Sequence, residues 1–234
     1  MTSFDASTWP ELAHRSGSGA VLVVPWGSTE QHGPHLPVTT DTDIALAIAM
    51  AAAEHDDRLA VAPPVSYGSS GEHQAFAGTL SIGQDVTELV LLELGRSAGI
   101  HFALTMVVSA HGGNAVPVAR AISRLVHEGR RIAAWSPSWG GDLHAGRTET
   151  SIMLAIDPDR VRLERAEVGD RRTIAELLPL LQRRGVGSVS PNGVLGDPTG
   201  ANAEEGRRLL AGAVQDLARG IETLRAAPIV EVSR

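Results

Sequence analysis

Apolar positions along this chain follow two rhythms that take turns. Residues 20–24, 59–62, 102–109 and 131–135 are short runs rich in strand formers, bounded by glycine, proline or charge. Between them, residues 43–54, 85–98 and 114–128 carry apolar side chains at helical spacing. Strands that alternate with helices predict an α/β fold, a three-layer αβα arrangement with a mostly parallel sheet and helices on both faces. The stretch from Ile44 to Met50 is apolar almost all round. It must be buried, either between the sheet and a neighbouring helix or at a subunit contact, and the second is favoured here. A last amphipathic helix shows Leu210, Val214, Leu217, Ile221 and Leu224 on one stripe.

A chain of 234 residues with 43% hydrophobic content can bury one large core, so the reading is a single domain over residues 1–234. Within it, residues 1–18 form an N-terminal helix and connector and residues 226–234 a flexible tail. Glycines 17 and 19 precede their strand, which excludes a dinucleotide fingerprint. The net charge of −7 disfavours nucleic acid and acidic membranes as partners. The pairs Arg171-Arg172 and Arg183-Arg184 read as solvated helix faces. The longest apolar run is too short to span a bilayer, and a cytoplasmic protein is expected. With no cysteine, disulfides, thiolate metal sites and cysteine nucleophiles are all excluded.

The candidate chemistry collects after the strands, where open α/β sheets place their ligand sites. The first strand runs into Gly27-Ser28-Thr29-Glu30-Gln31-His32-Gly33-Pro34-His35-Leu36-Pro37, with Asp41 just beyond. In an extended segment Glu30 and His32 project to one side while Gln31 faces away. Gly33, Pro34 and Pro37 prevent a helix there and can return Asp41 to the same point. Carboxylate and imidazole donors suit zinc, manganese or ferrous iron. A second histidine, His111, follows the third strand in Ala110-His111-Gly112-Gly113-Asn114, where Asn114 reads as the N-cap of the next helix. The fourth strand leads to Trp139, Gly140, Gly141, Asp142, His144 and Glu149. Ser28, Ser109 and Ser151 lack a nucleophile-elbow context and read as turn or capping residues. The glycine- and proline-rich residues 188–200 shape a pocket mouth or a subunit interface. His73, Trp139 and Asn114 are expected at the substrate; Trp26 is either a second aromatic wall or a core anchor, and a loop histidine such as His73 is more often structural.

Taken together, the run from Gly27 to Pro37 with Asp41, His111-Gly112-Gly113-Asn114, and His144-Ala145-Gly146-Arg147-Thr148-Glu149-Thr150-Ser151 resemble the creatininase family of metal-dependent amidohydrolases. Tyr67-Gly68, Glu72-His73 and the segment from Gly193 to Pro198 extend the resemblance over roughly residues 20 to 205. Within the family, the surroundings of His144 resemble the mycofactocin branch, whose members trim a modified ribosomal precursor peptide. The resemblance implies two divalent ions, Fe2+ and/or Zn2+ with Mn2+ possible. Asp41 would bridge them, with Glu30 and His111 on one ion and His32 on the other. Creatininase itself supplies a further carboxylate at the position that is Gly113 here, a departure that shifts this role to Glu149. His144 is implied as a catalytic or substrate-orienting residue, with a supporting contact to a carboxylate as the alternative, and Glu149 shares the catalytic centre. The implied activity is hydrolysis of an amide bond of the modified precursor peptide, releasing its C-terminal Val-Tyr-derived dipeptide. A creatininase-like hydrolase of a small cyclic amide or formamide, and a metal-dependent binding or assembly subunit, are the alternatives. Family members suggest a homo-oligomer.

Overall fold

The computed structural model describes residues 4–227. Four strands, β1 (Val21–Trp26), β2 (Leu59–Val61), β3 (Leu104–Ser109) and β4 (Ile132–Trp135), form one sheet in the order β2-β1-β3-β4, and every pairing is parallel. The helices are α1 (Trp9–Gly17), α2 (Thr40–His55), α3 (Gly83–Ala98), α4 (Ala115–His127), α5 (Arg147–Ile156), α6 (Ile174–Arg184) and α7 (Ala203–Ala226). The expected α/β architecture is therefore the observed one. β1 and β3 are buried along their whole length, which is why they read as continuous apolar runs and not as alternating ones.

Alternation within these strands sorts the side chains between two layers. Val21, Val23, Leu104, Met106 and Val108 face the core built with α2, α5 and α7. Trp26 and Val107 face the opposite core with Leu91 and Leu92 of α3 and Val118, Ala121 and Leu125 of α4. α2 is thus covered inside this chain. Ile44, Ala45, Ile48, Ala49, Ala52 and Ala53 pack against the sheet, α5 and α7, which corrects the expectation that its apolar circumference waits for a subunit contact. Trp26 is a core anchor. Its ring is fully buried and its indole N–H donates to the Tyr67 carbonyl at 3.1 Å.

Two elements differ from the sequence reading. β1 continues through Pro25 to Trp26, although a proline in a central strand argues for an end. β2 stops pairing at Val23, so the missing N–H of Pro25 faces no strand, while its carbonyl accepts from the Val65 N–H at 2.9 Å. α6 was hidden by Pro179 inside it; a Thr173–Glu176 capping box starts the helix all the same. Arg171 and Arg172 therefore precede α6 and lie on no helix face, whereas Arg183 and Arg184 are in its last turn. The N-terminal helix expected in residues 1–18 occupies Trp9–Gly17. The expected tail lies outside the described residues, apart from Ala226, which ends α7, and Ala227. Among the described residues no helix is long and apolar enough to cross a membrane.

Candidate metal centre

Because all four strands run the same way, their C-terminal ends share one edge, and the chemistry-bearing residues meet there. Glu30 and His32 lie in the loop after β1. Asp41 is in the first turn of α2, His73 in a short 3-10 turn beyond β2, and His111 directly after β3. The loop after β4 brings His144, and Glu149 stands in the first turn of α5. Glu30, His32, Asp41, His73, His111 and His144 are all buried.

Three groups of donor atoms each lie within 4.8 Å of one another: Glu30, Asp41 and His111; His32, His144 and Glu149; Glu30, His73 and His144. Asp41 joins the first two. One of its oxygens is 3.2 Å from His32 Nε2 and the other 3.2 Å from His111 Nδ1. Glu149 Oε2 lies 3.9 Å from His32 Nε2. The backbone settles which ring nitrogens face inward. His32 Nδ1 donates to the Glu30 carbonyl at 3.1 Å, and His111 Nε2 donates to the Ser69 carbonyl at 2.8 Å. Nε2 of His32 and Nδ1 of His111 thus face the carboxylates, the orientation from which they can bind a cation once a proton there is displaced.

The carboxylates themselves are short of partners. Both oxygens of Glu30 and Oδ2 of Asp41 are buried with no hydrogen bond. An unpaired buried carboxylate costs several kcal/mol, so two side by side demand positive charge. The titration behaviour says the same. Burial pushes Glu30 up to about 8 and raises Glu149 as well. Burial pulls down on His32 and His111, but the surrounding carboxylates outweigh it and raise both to about 10. Burial also opposes ionisation of Asp41, yet His32 and His111 hold it well below the usual carboxylate range. His73 and His144 go the other way. Burial, reinforced by neighbouring imidazoles, lowers His73 to about 3 and His144 well below its ordinary value. Hard and borderline donors, no thiolate, and oxygens without partners make this a set that fits divalent cations.

Local sequence builds the Glu149 side of the cluster. Asp142 accepts the Arg147 N–H at 2.6 Å and so caps α5, with Gly146 and Gly196 pressed against its carboxyl group, where a Cβ would come within 2.3 and 2.5 Å. Glu149, in the first turn, reaches back to the Ala145 N–H at 2.6 Å.

Of the residues expected at the substrate, His73 is at the centre, with Nε2 3.3 Å from Glu30 Oε1. Trp139 is half-buried against the main core cluster. Asn114 has its amide engaged by the backbone on both sides. It is fully buried, donates to the Gly27 carbonyl at 2.9 Å and accepts from the Ser69 N–H at 2.9 Å, tying the loop after β1 to the loop before His73. It occupies the N-cap position of α4 without a capping hydrogen bond from its side chain. Gly113 has no room for any side chain, since a Cβ there would stand 2.2 Å from the Ser69 carbonyl and 2.5 Å from His111 Nε2.

Sequence reasoning missed Gln31, whose side-chain amide touches both His73 and His144. Ser28 pairs its hydroxyl with that of Ser70, beside His111. Ser151 accepts the Asn202 N–H at 3.1 Å, just ahead of α7. Residues 188–200 pack behind the site, where Gly193 meets Gln31 and Leu195 pairs with His144. On the outer side of that pairing a cleft of about 420 Å3 opens between Leu143, Arg171, Arg172, Ile174 and Gly196. A larger cleft, of about 640 Å3, lies beside Asp56, Arg58 and Glu222 and includes none of Glu30, Asp41 and Glu149 in its lining.

The creatinine amidohydrolase (creatininase) family model matches residues 5–221. The chain is 49% identical over 220 residues to the mycofactocin precursor peptide peptidase of Mycobacterium ulcerans, covering 90% of this chain and 84% of that protein. It is 28% identical to the creatinine amidohydrolase of Pseudomonas putida, over 92% and 94% of the two chains. A solved creatininase variant superposes with a TM-score of 0.85 at 24% identity, covering 97% of this chain and 100% of its own. Two other solved creatininases are described as a manganese form and as a zinc-zinc form.

Proposed function

The chain belongs to the creatininase family of amidohydrolases, and from that premise we propose that it is a metal-dependent peptidase that hydrolyses an amide bond of the modified mycofactocin precursor peptide. The dipeptide derived from the C-terminal Val-Tyr pair would be the product released. The relatives that are nearly half identical along most of their length, and are named for that peptide, support the choice of substrate. The observation that carries the chemistry is the group of buried Glu30 and Asp41 oxygens that lack hydrogen-bond partners beside the inward-facing nitrogens of His32 and His111.

Glu30, Asp41 and His111 would hold one divalent ion, and His32, Asp41 and Glu149 a second, with Asp41 between them. Such ions supply the Lewis acidity that an amide carbonyl and a water molecule need at neutral pH. Zinc, iron and manganese all suit these donors. His144, neutral because burial and the neighbouring imidazoles disfavour its charged form, is suited to take a proton from water and return it to the departing amine. The Ala145 N–H holds Glu149 at its post. Trp139 would wall the substrate from the loop after β4. No serine or cysteine nucleophile is required.

The reading is tested by mass spectrometry of the protein incubated with zinc, iron or manganese and the C-terminally modified precursor peptide, alongside creatinine. Release of the dipeptide, abolished by chelator and restored by metal, is expected. An intact peptide in all three metals, with creatinine opened instead, would replace it with a small-amide hydrolase.

A further inference from the structure

Gln31 sits behind the cluster with four polar atoms arranged around its side-chain amide. Its side-chain Oε1 accepts the Gly33 N–H at 2.8 Å, which fixes the orientation of the amide. The amide nitrogen then faces three groups, His73 Nδ1 at 2.8 Å, the Gly193 carbonyl at 3.0 Å and His144 Nε2 at 3.0 Å. It has two hydrogens for them. The backbone decides the matter, because His144 Nε2 also lies 2.8 Å from the carbonyl oxygen of Gln31 itself. A ring nitrogen at that distance from a carbonyl carries a proton and donates it. The two amide hydrogens therefore go to His73 Nδ1 and to the Gly193 carbonyl.

This assignment fixes both imidazoles. His73 accepts at Nδ1, so its proton is on Nε2, 3.3 Å from Glu30 Oε1. His144 has its proton on Nε2, so Nδ1 is bare and faces the same Glu30 oxygen at 3.6 Å. The rings pack against each other with centroids 4.4 Å apart, and His144 lies 4.3 Å from His32 on its other side. Both histidines have the same tautomer, yet they present opposite faces to the centre.

We propose that Gln31 is a positioning residue that sets the tautomers of His73 and His144 through its side chain and backbone respectively. His73 is left with its Nε2–H on the side of Glu30, and His144 with its bare nitrogen toward the reacting atoms. The proposal deepens the peptidase reading and rests on it for the role of His144, but the tautomers themselves need no substrate. They are read by long-range proton–nitrogen correlation on protein labelled with 15N-histidine, metal-free and zinc-loaded, with cross-peaks assigned from His73→Asn and His144→Asn.

In the unmodified protein both residues are expected as Nε2–H tautomers. Gln31→Glu keeps the shape but replaces the amide donor with an acceptor, which moves the proton of His73 to Nδ1. His144 stays unchanged because its partner is backbone. Zinc affinity falls about 10- to 100-fold in that variant as the N–H dipole beside Glu30 is lost. Gln31→Met, which puts no new charge in the core, leaves His73 a mixture of tautomers and His144 again unaffected. A His73 proton on Nδ1 in the unmodified protein, or unaltered tautomers and zinc affinity in both variants, would overturn the proposal. A peptide left uncleaved while these signatures hold would count against the peptidase reading alone.

Discussion

The backbone N–H of Ala145 donates to Glu149 Oε2 at 2.6 Å, and Ala145 is the one non-glycine residue with positive φ among the described residues, at 53°. A left-handed alanine is uphill by about 1–2 kcal/mol, and here the strain turns an amide toward the carboxylate that the second cation site needs. His144, immediately before it, points inward by the same turn of the chain.

Ala145→Gly should therefore change stability by no more than about 1 kcal/mol, since relief of strain offsets the added freedom of the unfolded chain and the lost methyl. Ala145→Val should cost more than about 2 kcal/mol, because a branched side chain is strained at this φ and the site is fully buried. Urea unfolding measures both. The valine variant should also bind less metal, since Glu149 loses its anchor.

Metal binding should release protons. Asp41 and the other carboxylates keep His32 and His111 protonated up to about 10 against the pull of burial, and a cation must displace those protons. Apparent zinc affinity should then rise with pH between roughly pH 6 and pH 9, with proton uptake by the buffer visible in calorimetry. Affinity that is flat over this range would show that the histidines are already unprotonated or are not ligands.

A separate acid sensitivity lies at the far end of the sheet. Burial works against ionisation of Asp56, but hydrogen bonds from Arg58 and Arg225 outweigh it and lower its pKa to about 2. A carboxylate lowered on folding contributes stability that is complete above its unfolded value near 4 and disappears as pH falls through about 2. Urea midpoints should accordingly drop between about pH 4 and pH 2, and Asp56→Asn should be less stable at neutral pH while losing part of that slope.

Much of this was legible in the chain, and the reasons are local. The four strands are short, apolar and bounded by turn residues, so their type and order could be read directly. Glu30, His32, Asp41 and His111 all follow strands or open a helix, where parallel topology gathers them whatever the detail of the loops. What stayed hidden depends on contacts between distant segments. His73 reads as an isolated loop histidine until the chain folds it against Glu30. Gln31 belongs to the same motif as its neighbours, but its partners are 42 and 113 residues away. Asn114 looked like a cap and a substrate contact, and only the folded chain shows its amide joining two loops. The apolar circumference of α2 left open what would cover it, since α5 and α7 come more than 90 residues later.

The most direct test of the account is metal content measured together with peptide turnover in the unmodified protein and in Asp41→Asn. Asp41 stands between His32 and His111 at 3.2 Å from each, so one substitution strikes both cation positions. Two divalent ions per chain and cleavage of the modified precursor peptide are predicted for the unmodified protein. Asp41→Asn should lose ions and turnover together while remaining folded by circular dichroism. An Asp41→Asn protein that keeps both its ions and its activity would contradict the account.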